Sequence, residues 1–258
     1  MSAPHDDKPS HAKQRLDQWL LQRGLAPTRS KARDLIKEGF VKVDGETITK
    51  PGSLWVPGVV ITVAEDAPDH VARSAAKLER ALELFTLDVK GRTALDIGAS
   101  TGGFTEVLLE RGAAHVIAVD VGHDQLHQRL ACDARVTSLE GRDARSLTAD
   151  DMPELPSIIT ADLSFISLIK AIEPALSLMQ PGSWGVMLIK PQFELTRKEL
   201  NKKGVVKEEA KRQQAIQTVI NWFAVQPSWH VLGHAPSPIK GHAGNKEELL
   251  CIGKEDEV

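Results

Sequence analysis

The chain has 258 residues, 41% hydrophobic and 26% charged, with a formal net charge of −3. That size suits one large domain or a medium and a small one, and the slight acidity is not that of an indiscriminate polyanion binder. Cys132 and Cys251 lie far apart and no Cys/His cluster has zinc spacing, which argues against a disulfide framework or a structural metal. The N-terminus carries no apolar leader and no run approaches the ~20 apolar residues of a spanning helix, so a soluble, cytoplasmic protein is expected.

The charge is uneven. Residues 1–64 hold ten Lys and Arg against seven Asp and Glu, a net +3, and the remainder holds 22 against 28, a net −6. From Gln14 to Lys37 the pattern reads as two short amphipathic helices, with Leu16, Trp19 and Leu20 inward in the first and Ala32, Leu35 and Ile36 in the second. Gly24 ends the first, Thr28 or Ser30 caps the second, and Gly39 stops it. A short strand F-V-K-V, the turn Asp44-Gly45, the segment E-T-I-T and the strand V-V-I-T-V ending at Val63 complete a small α+β unit over 14–63. Basic residues crowd the second helix.

The run R-L-D…R-G-L-A-x-T-R-x-x-A-x-x-L-I-x-x-G-x-V-x-V-D-G…K-P-G resembles the small S-four-like (αL) RNA-binding domain. That resemblance implies that Arg15, Arg29, Arg33 and Lys50 lie against structured RNA; the alternative is a solvated helix face. Residues 64–74, A-E-D-A-P-D-H-V-A-R-S, read as a polar interdomain linker, and a second domain follows over 75–254.

There, strand and helix patterns alternate, the sign of a doubly wound α/β sheet with helices on both faces. A helix from Leu78 to Leu84 precedes strand Thr93–Ile97; then come helix Thr105–Glu110, strand Val116–Val119, a helix near Gln125–Leu130 and strand Val136–Leu139. Strand Ser157–Ala161, helix Leu168–Met179, strand Trp184–Ile189, helix Glu208–Phe223, strand Trp229–Gly233 and strand Glu247–Ile252 follow, with Leu195–Val205 expected as a mobile loop.

The stretch T-A-L-D-I-G-A-S-T-G-G-F places an apolar strand, Asp96 and a glycine turn before a helix, and Asp120 closes the next strand. The turn matches neither G-x-G-x-x-G nor the phosphate-cradling loop, so a ribose-reading acid stands beside a turn with no pyrophosphate grip. That combination suits S-adenosylmethionine, whose charged end is an amino acid and a sulfonium. The structural alternative is a Gly-rich turn in some other α/β protein. Asp162 and Lys190 follow two further strands and Glu247 opens the last, so these charges converge on one cleft at the sheet's carboxyl edge.

Together S-A-A-K-L, L-D-I-G-A-S-T-G-G-F, V-I-A-V-D-V-G, A-D-L-S-F-I-S-L, L-I-K-P-Q-F-E and A-G-N-K-E resemble the TlyA family, from about Gln14 to Gly253. Its members are FtsJ-like, Rossmann-type RNA 2′-O-ribose methyltransferases preceded by an S-four-like domain. The resemblance implies a catalytic tetrad of Lys77, Asp162, Lys190 and Glu247, and a cofactor site lined by Gly98, Ala99, Ser100, Thr101, Gly102, Gly103 and Phe104 on the methionine side, with Asp162 beside them. Asp120 and Val121 would meet the ribose and adenine, and Asp143 and Ala144 the adenine edge.

A ribose hydroxyl must lose its proton as it attacks the sulfonium methyl, and Lys190 is the candidate acceptor. Burial and the nearby Lys77 would lower its pKa, whereas Asp162 and Glu247 would favour its charged form. Lys77 would steer the hydroxyl. Phe165 and Phe193 are candidates for stacking on a flipped base, or else pack at the sheet edge, and Trp222 and Phe223 pack the core. His234 and His242 are single, without a carboxylate at metal spacing, and no metal is expected. The expected activity is methylation of cytidine ribose in ribosomal RNA of the small or large subunit, by a monomer whose partner is rRNA or a ribosomal subunit, with no membrane. The rivals are a non-catalytic ribosome-assembly factor and a membrane-active haemolysin.

Overall fold

The computed structural model describes residues 13–37, 39–64, 70–241 and 244–256, the side chain of Ser30 apart. The chain divides into two compact units, Met1–Arg73 and Ser74–Val258.

In the first unit, β1 (Gln14–Arg15) leads into α1 (Leu16–Gln22), and α2 (Arg29–Lys37) packs on it. Leu16, Leu20, Ala32 and Ile36 are fully buried, as their helical spacing requires. Trp19, expected inward, is only half-buried, with the Arg23 guanidinium 4.6 Å above its ring. Thr28 is the observed cap, its Oγ1 accepting from the Lys31 amide at 3.1 Å. The strands β2 (Val41–Val43), β3 (Glu46–Thr47), β4 (Leu54–Trp55) and β5 (Ile61–Val63) follow. They form the three-stranded antiparallel sheet β3-β2-β5, with β1 and β4 paired separately.

The second unit begins with α3 (Ala75–Leu84), three residues before the expected helix start, so that Lys77 lies inside the helix. Next come β6 (Thr93–Ile97), α4 (Gly103–Glu110), β7 (His115–Asp120), α5 (Gln128–Ala131), β8 (Val136–Glu140), β9 (Ile158–Ala161), α6 (Leu168–Leu176), β10 (Trp184–Ile189), α7 (Pro191–Glu194), α8 (Glu209–Ala224), β11 (Trp229–Pro236) and β12 (Glu248–Lys254). α5 starts later than the expected Gln125, because the Glu140 carboxylate accepts from the amides of Asp124, Gln125 and Leu126 and holds them in a turn. The expected loop Leu195–Val205 is organised, with a 3-10 turn at Arg197–Glu199 and a bridge between Leu200 and Val206.

All seven strands of this unit form one sheet in the order β11-β12-β10-β9-β6-β7-β8. The five strands from β10 to β8 are parallel, and β12 runs antiparallel between β10 and β11. Side chains alternate across the sheet. Leu95, Ile97, Ile117, Ile159 and Met187 join a core with Ile172 of α6 and Val219 and Phe223 of α8. On the opposite face Asp96 meets Thr105 of α4. Phe223 is fully buried, with half-buried Trp222 edge-on to it at 4.9 Å.

Register decides what meets at the carboxyl edge. Ile97 pairs with Val119 and with Ala161, so Gly98, Asp120 and Asp162 follow side by side. Ile189 pairs with Glu248 of the antiparallel β12, so Lys190 and Glu247 lie one step beyond them. The chain winds one way from β6 to β8 and the other from β9, so β6 and β9 flank the switch point where ligands of open α/β sheets bind.

Candidate active site

Lys77, Asp162, Lys190 and Glu247 come together in one buried cluster. Lys77 Nζ donates to Glu247 Oε2 at 2.8 Å and to Asp162 Oδ2 at 3.1 Å. Lys190 Nζ lies 2.6 Å from Asp162 Oδ1, off the hydrogen-bond axis, and donates to Ser164 Oγ at 3.0 Å. Asp162 therefore bridges the lysines and keeps one buried oxygen without a well-aligned donor. For Lys77 and Asp162 burial works against the charge, but the neighbours outweigh it. Desolvation pushes the Lys77 ammonium down, yet Asp162 and Glu247 hold it above the usual lysine range. Desolvation pushes the Asp162 carboxyl up, yet Lys77 and Lys190 hold it below the usual carboxylate range.

Three supporting residues carry no signal in a one-dimensional reading. Ser164 is an exposed loop serine whose contact with Lys190 appears only on folding. A Cβ on Gly241 would lie 1.8 Å from Glu247 Oε1, so only glycine lets that carboxylate stand where Lys77 meets it. Glu194 accepts from Ser167 Oγ and from the Leu168 amide, both at 2.7 Å, tying the loop after Asp162 to the segment after Lys190; burial raises its pKa.

The glycine turn lies beside this cluster. Gly98 has φ +79°, and a Cβ there would meet the Asp162 carbonyl oxygen at 3.1 Å, so the turn needs glycine both for conformation and for approach. Ala99 and Gly103 are buried, Ser100 is exposed, and Thr101 and Gly102 lie at and just beneath the surface of the turn. The Asp120 carboxylate accepts from the Ser100 amide at 2.9 Å and the Gly122 amide at 2.8 Å, one to each oxygen, leaving a lone pair on each for a vicinal diol. Val121, 68% exposed, offers an apolar surface next to it.

Other expected positions are placed as follows. Phe104 is 3% exposed, in the first turn of α4. The Asp143 carboxylate closes on Arg145 at 2.6 Å, which holds its pKa down to about 2, and Ala144 beside it is buried. Asp96 sits inside β6, where Thr105 and Thr160 donate to it at 2.7 and 2.9 Å. Phe165 is 89% exposed with its ring centroid 5.3 Å from that of Phe193, so it does not pack at the sheet edge. His234 does have a carboxylate neighbour, Glu248 at 2.9 Å, and His242 lies outside the described residues.

In the first unit, Arg15 and Arg29 both reach the buried Asp17, at 2.9 and 3.2 Å. Burial pushes the Asp17 carboxyl up, but the two guanidiniums hold it below the usual range. Each arginine keeps an exposed edge, while Arg33 and Lys50 are exposed and form no ion pair among the described residues. Among the described residues no helix is long and apolar enough to cross a membrane.

A switch-point cleft with a glycine turn, a diol-reading acid and a buried Lys/Asp/Lys/Glu cluster defines a group-transfer enzyme of the nucleoside-cofactor class. The family model for FtsJ-like methyltransferases matches residues 70–254, and that for the S4 domain matches residues 14–61. The chain is 41% identical, over 92% of its length and 89% of the relative's, to the 16S/23S rRNA (cytidine-2′-O)-methyltransferase TlyA of Mycobacterium tuberculosis. It is 37% identical to Hemolysin A of Brachyspira hyodysenteriae, over 91% of this chain and 98% of that one. A solved structure from Streptococcus thermophilus, provisionally described as a hemolysin, superposes with a TM-score of 0.75 at 38% identity, covering 96% of this chain and 90% of that one. The chain belongs to the FtsJ-like methyltransferase family, in the TlyA group that carries an S4 domain ahead of the catalytic unit.

Proposed function

We propose that the protein methylates the 2′-hydroxyl of a cytidine in ribosomal RNA, with S-adenosylmethionine as methyl donor, and that the first unit docks on folded RNA through Arg33, Lys50 and the exposed edges of Arg15 and Arg29. The observation that carries this reading is the tetrad, drawn from α3, β9, β10 and β12 to within 2.6–3.1 Å beside the glycine turn.

The donor supplies an electrophilic methyl group on a sulfonium. The chain's residues suit its binding: Asp120 is free to accept from ribose hydroxyls, Val121 borders it, and Gly98 leaves the turn open.

Lys77, clamped between two carboxylates, stays an ammonium and orients the substrate oxygen. Lys190 has Asp162, a carboxylate shared with Lys77, and Ser164 as polar partners among the described residues; entering the reaction as the amine, it takes the hydroxyl proton while the ribose oxygen acquires the methyl group. Phe165, exposed beside Ser164, offers its face to the target base. A cytoplasmic location follows from this substrate. The intact tetrad favours catalysis over a scaffolding role.

Labelled methyl transfer to isolated ribosomal subunits tests the reading. Lys190→Ala is expected to lower kcat by about 10²- to 10⁴-fold, the usual range for removing a general base. Labelling that survived this substitution at the wild-type rate would refute the assignment of Lys190.

A further inference from the structure

The second unit is acidic outside its first residues, yet residues 197–207, R-K-E-L-N-K-K-G-V-V-K, carry five basic side chains and one acid. That acid, Glu199, is engaged by Lys211 at 3.0 Å. Lys202, Lys203 and Lys207 are exposed and form no ion pair among the described residues, and with Leu200 and Asn201 they line an open recess. A solvated loop of this composition has no need of a fixed shape, but this one has one. Asn201 Oδ1 accepts from the Lys203 and Val205 amides at 2.7 and 3.0 Å.

The loop is also tied to the catalytic cluster. Asn245, 5% exposed, donates from Nδ2 to the Gly204 carbonyl at 3.1 Å and accepts at Oδ1 from the Val206 amide at 3.2 Å. Its carbonyl accepts from the amide of Gly241 at 2.8 Å, the residue whose missing side chain makes room for Glu247. Lys240, exposed and also without an ion pair among the described residues, precedes that glycine. One buried amide thus holds two lysine-bearing segments two residues before Glu247. Lysine ammonium groups presented on a fixed loop in an otherwise acidic unit suit a row of phosphates.

We propose that Lys202, Lys203, Lys207 and Lys240 form a phosphate-binding rim in the catalytic unit that grips RNA flanking the methylated nucleotide, independently of the first unit. The inference rests on the RNA-methyltransferase reading and adds to it a second anchoring point at the cleft.

The test compares full-length wild type, the variant K202Q/K203Q/K207Q, and K90Q, which removes an exposed lysine in the turn before β6, at the amino end of the parallel strands. Equilibrium binding to ribosomal RNA and KM for RNA are measured across salt concentrations, with S-adenosylmethionine binding measured alongside. The triple variant is expected to bind RNA on the order of tenfold more weakly at low salt, with a plot of log affinity against log salt shallower by about two, and to bind the cofactor as wild type does. K90Q is expected to match wild type. An unchanged slope in the triple variant, an equal loss in K90Q, or a loss of binding to anionic lipid vesicles with RNA affinity intact would overturn the proposal. If wild-type protein bound RNA with the full slope but transferred no methyl group, the enzymatic reading would fail and the rim would stand. If methyl transfer were intact and the triple variant kept its slope, the rim alone would fall.

Discussion

Two buried aspartates sit on neighbouring strands and experience opposite environments. Asp96, inside β6, is 1% exposed and meets only hydroxyls and an amide; burial pushes its pKa up to about 6, with the Thr105 and Thr160 hydroxyls resisting and the Asp162 charge adding to the rise. Asp162, one residue beyond β9, has a side chain 13% exposed and lies between the Lys77 and Lys190 side chains, and its pKa falls. Burial alone therefore does not identify a reactive carboxylate. One joins strand to helix; the other sets the charge of the site.

The largest expected effect comes from dismantling the charged side of that pair. Asp162→Ala leaves Lys77 with one carboxylate and Lys190 with none, and should cost about 3–5 kcal/mol in urea unfolding, the penalty for stranding buried charge. A loss below about 1 kcal/mol would mean that the lysines find water or other acceptors. Its native pairing contributes stability present above the unfolded pKa and lost as pH falls through the depressed folded value.

Asp96 carries the opposite sign. Because its folded pKa of about 6 exceeds the ordinary aspartate value of 3.8, the native state retains a proton that the unfolded chain releases, and stability falls as pH rises between about 4 and 6. Two pKa units correspond to about 3 kcal/mol. Asp96→Asn should abolish that slope while leaving RNA methylation in place, and a slope that persisted would place the titrating group elsewhere.

Gly241→Ala has the smallest expected effect. Its Cβ would displace the Glu247 carboxylate from Lys77, and kcat should fall about tenfold with RNA affinity retained. Full activity in this variant would show that Glu247 can relax without loosening Lys77.

The parts of the molecule that the sequence made legible are those governed by local repetition. The β-branched runs of β6, β7 and β10 and the apolar spacing of α1 and α2 match the observed elements because each is dictated by neighbours in the chain. The tetrad was reached through motif resemblance, and charges at strand ends pointed to the same edge. The direction of β12 was not legible, since a buried apolar strand reads the same in either orientation. Nor could periodicity separate Asp96 from Asp162, because the difference lies in whether Thr105 or Lys77 arrives opposite them. Ser164 and Gly241 were missed for the same reason: each matters through one contact with a residue distant in sequence or in another segment.

The placement of β12 has a consequence for the charged cluster. Residues 77, 162 and 190 precede 247 in the chain, and β12, which positions Glu247, lies between β10 and β11 although it is the last strand of the three in sequence. Of the two carboxylates that hold Lys77, one therefore belongs to the parallel part of the sheet and the other depends on its last strand.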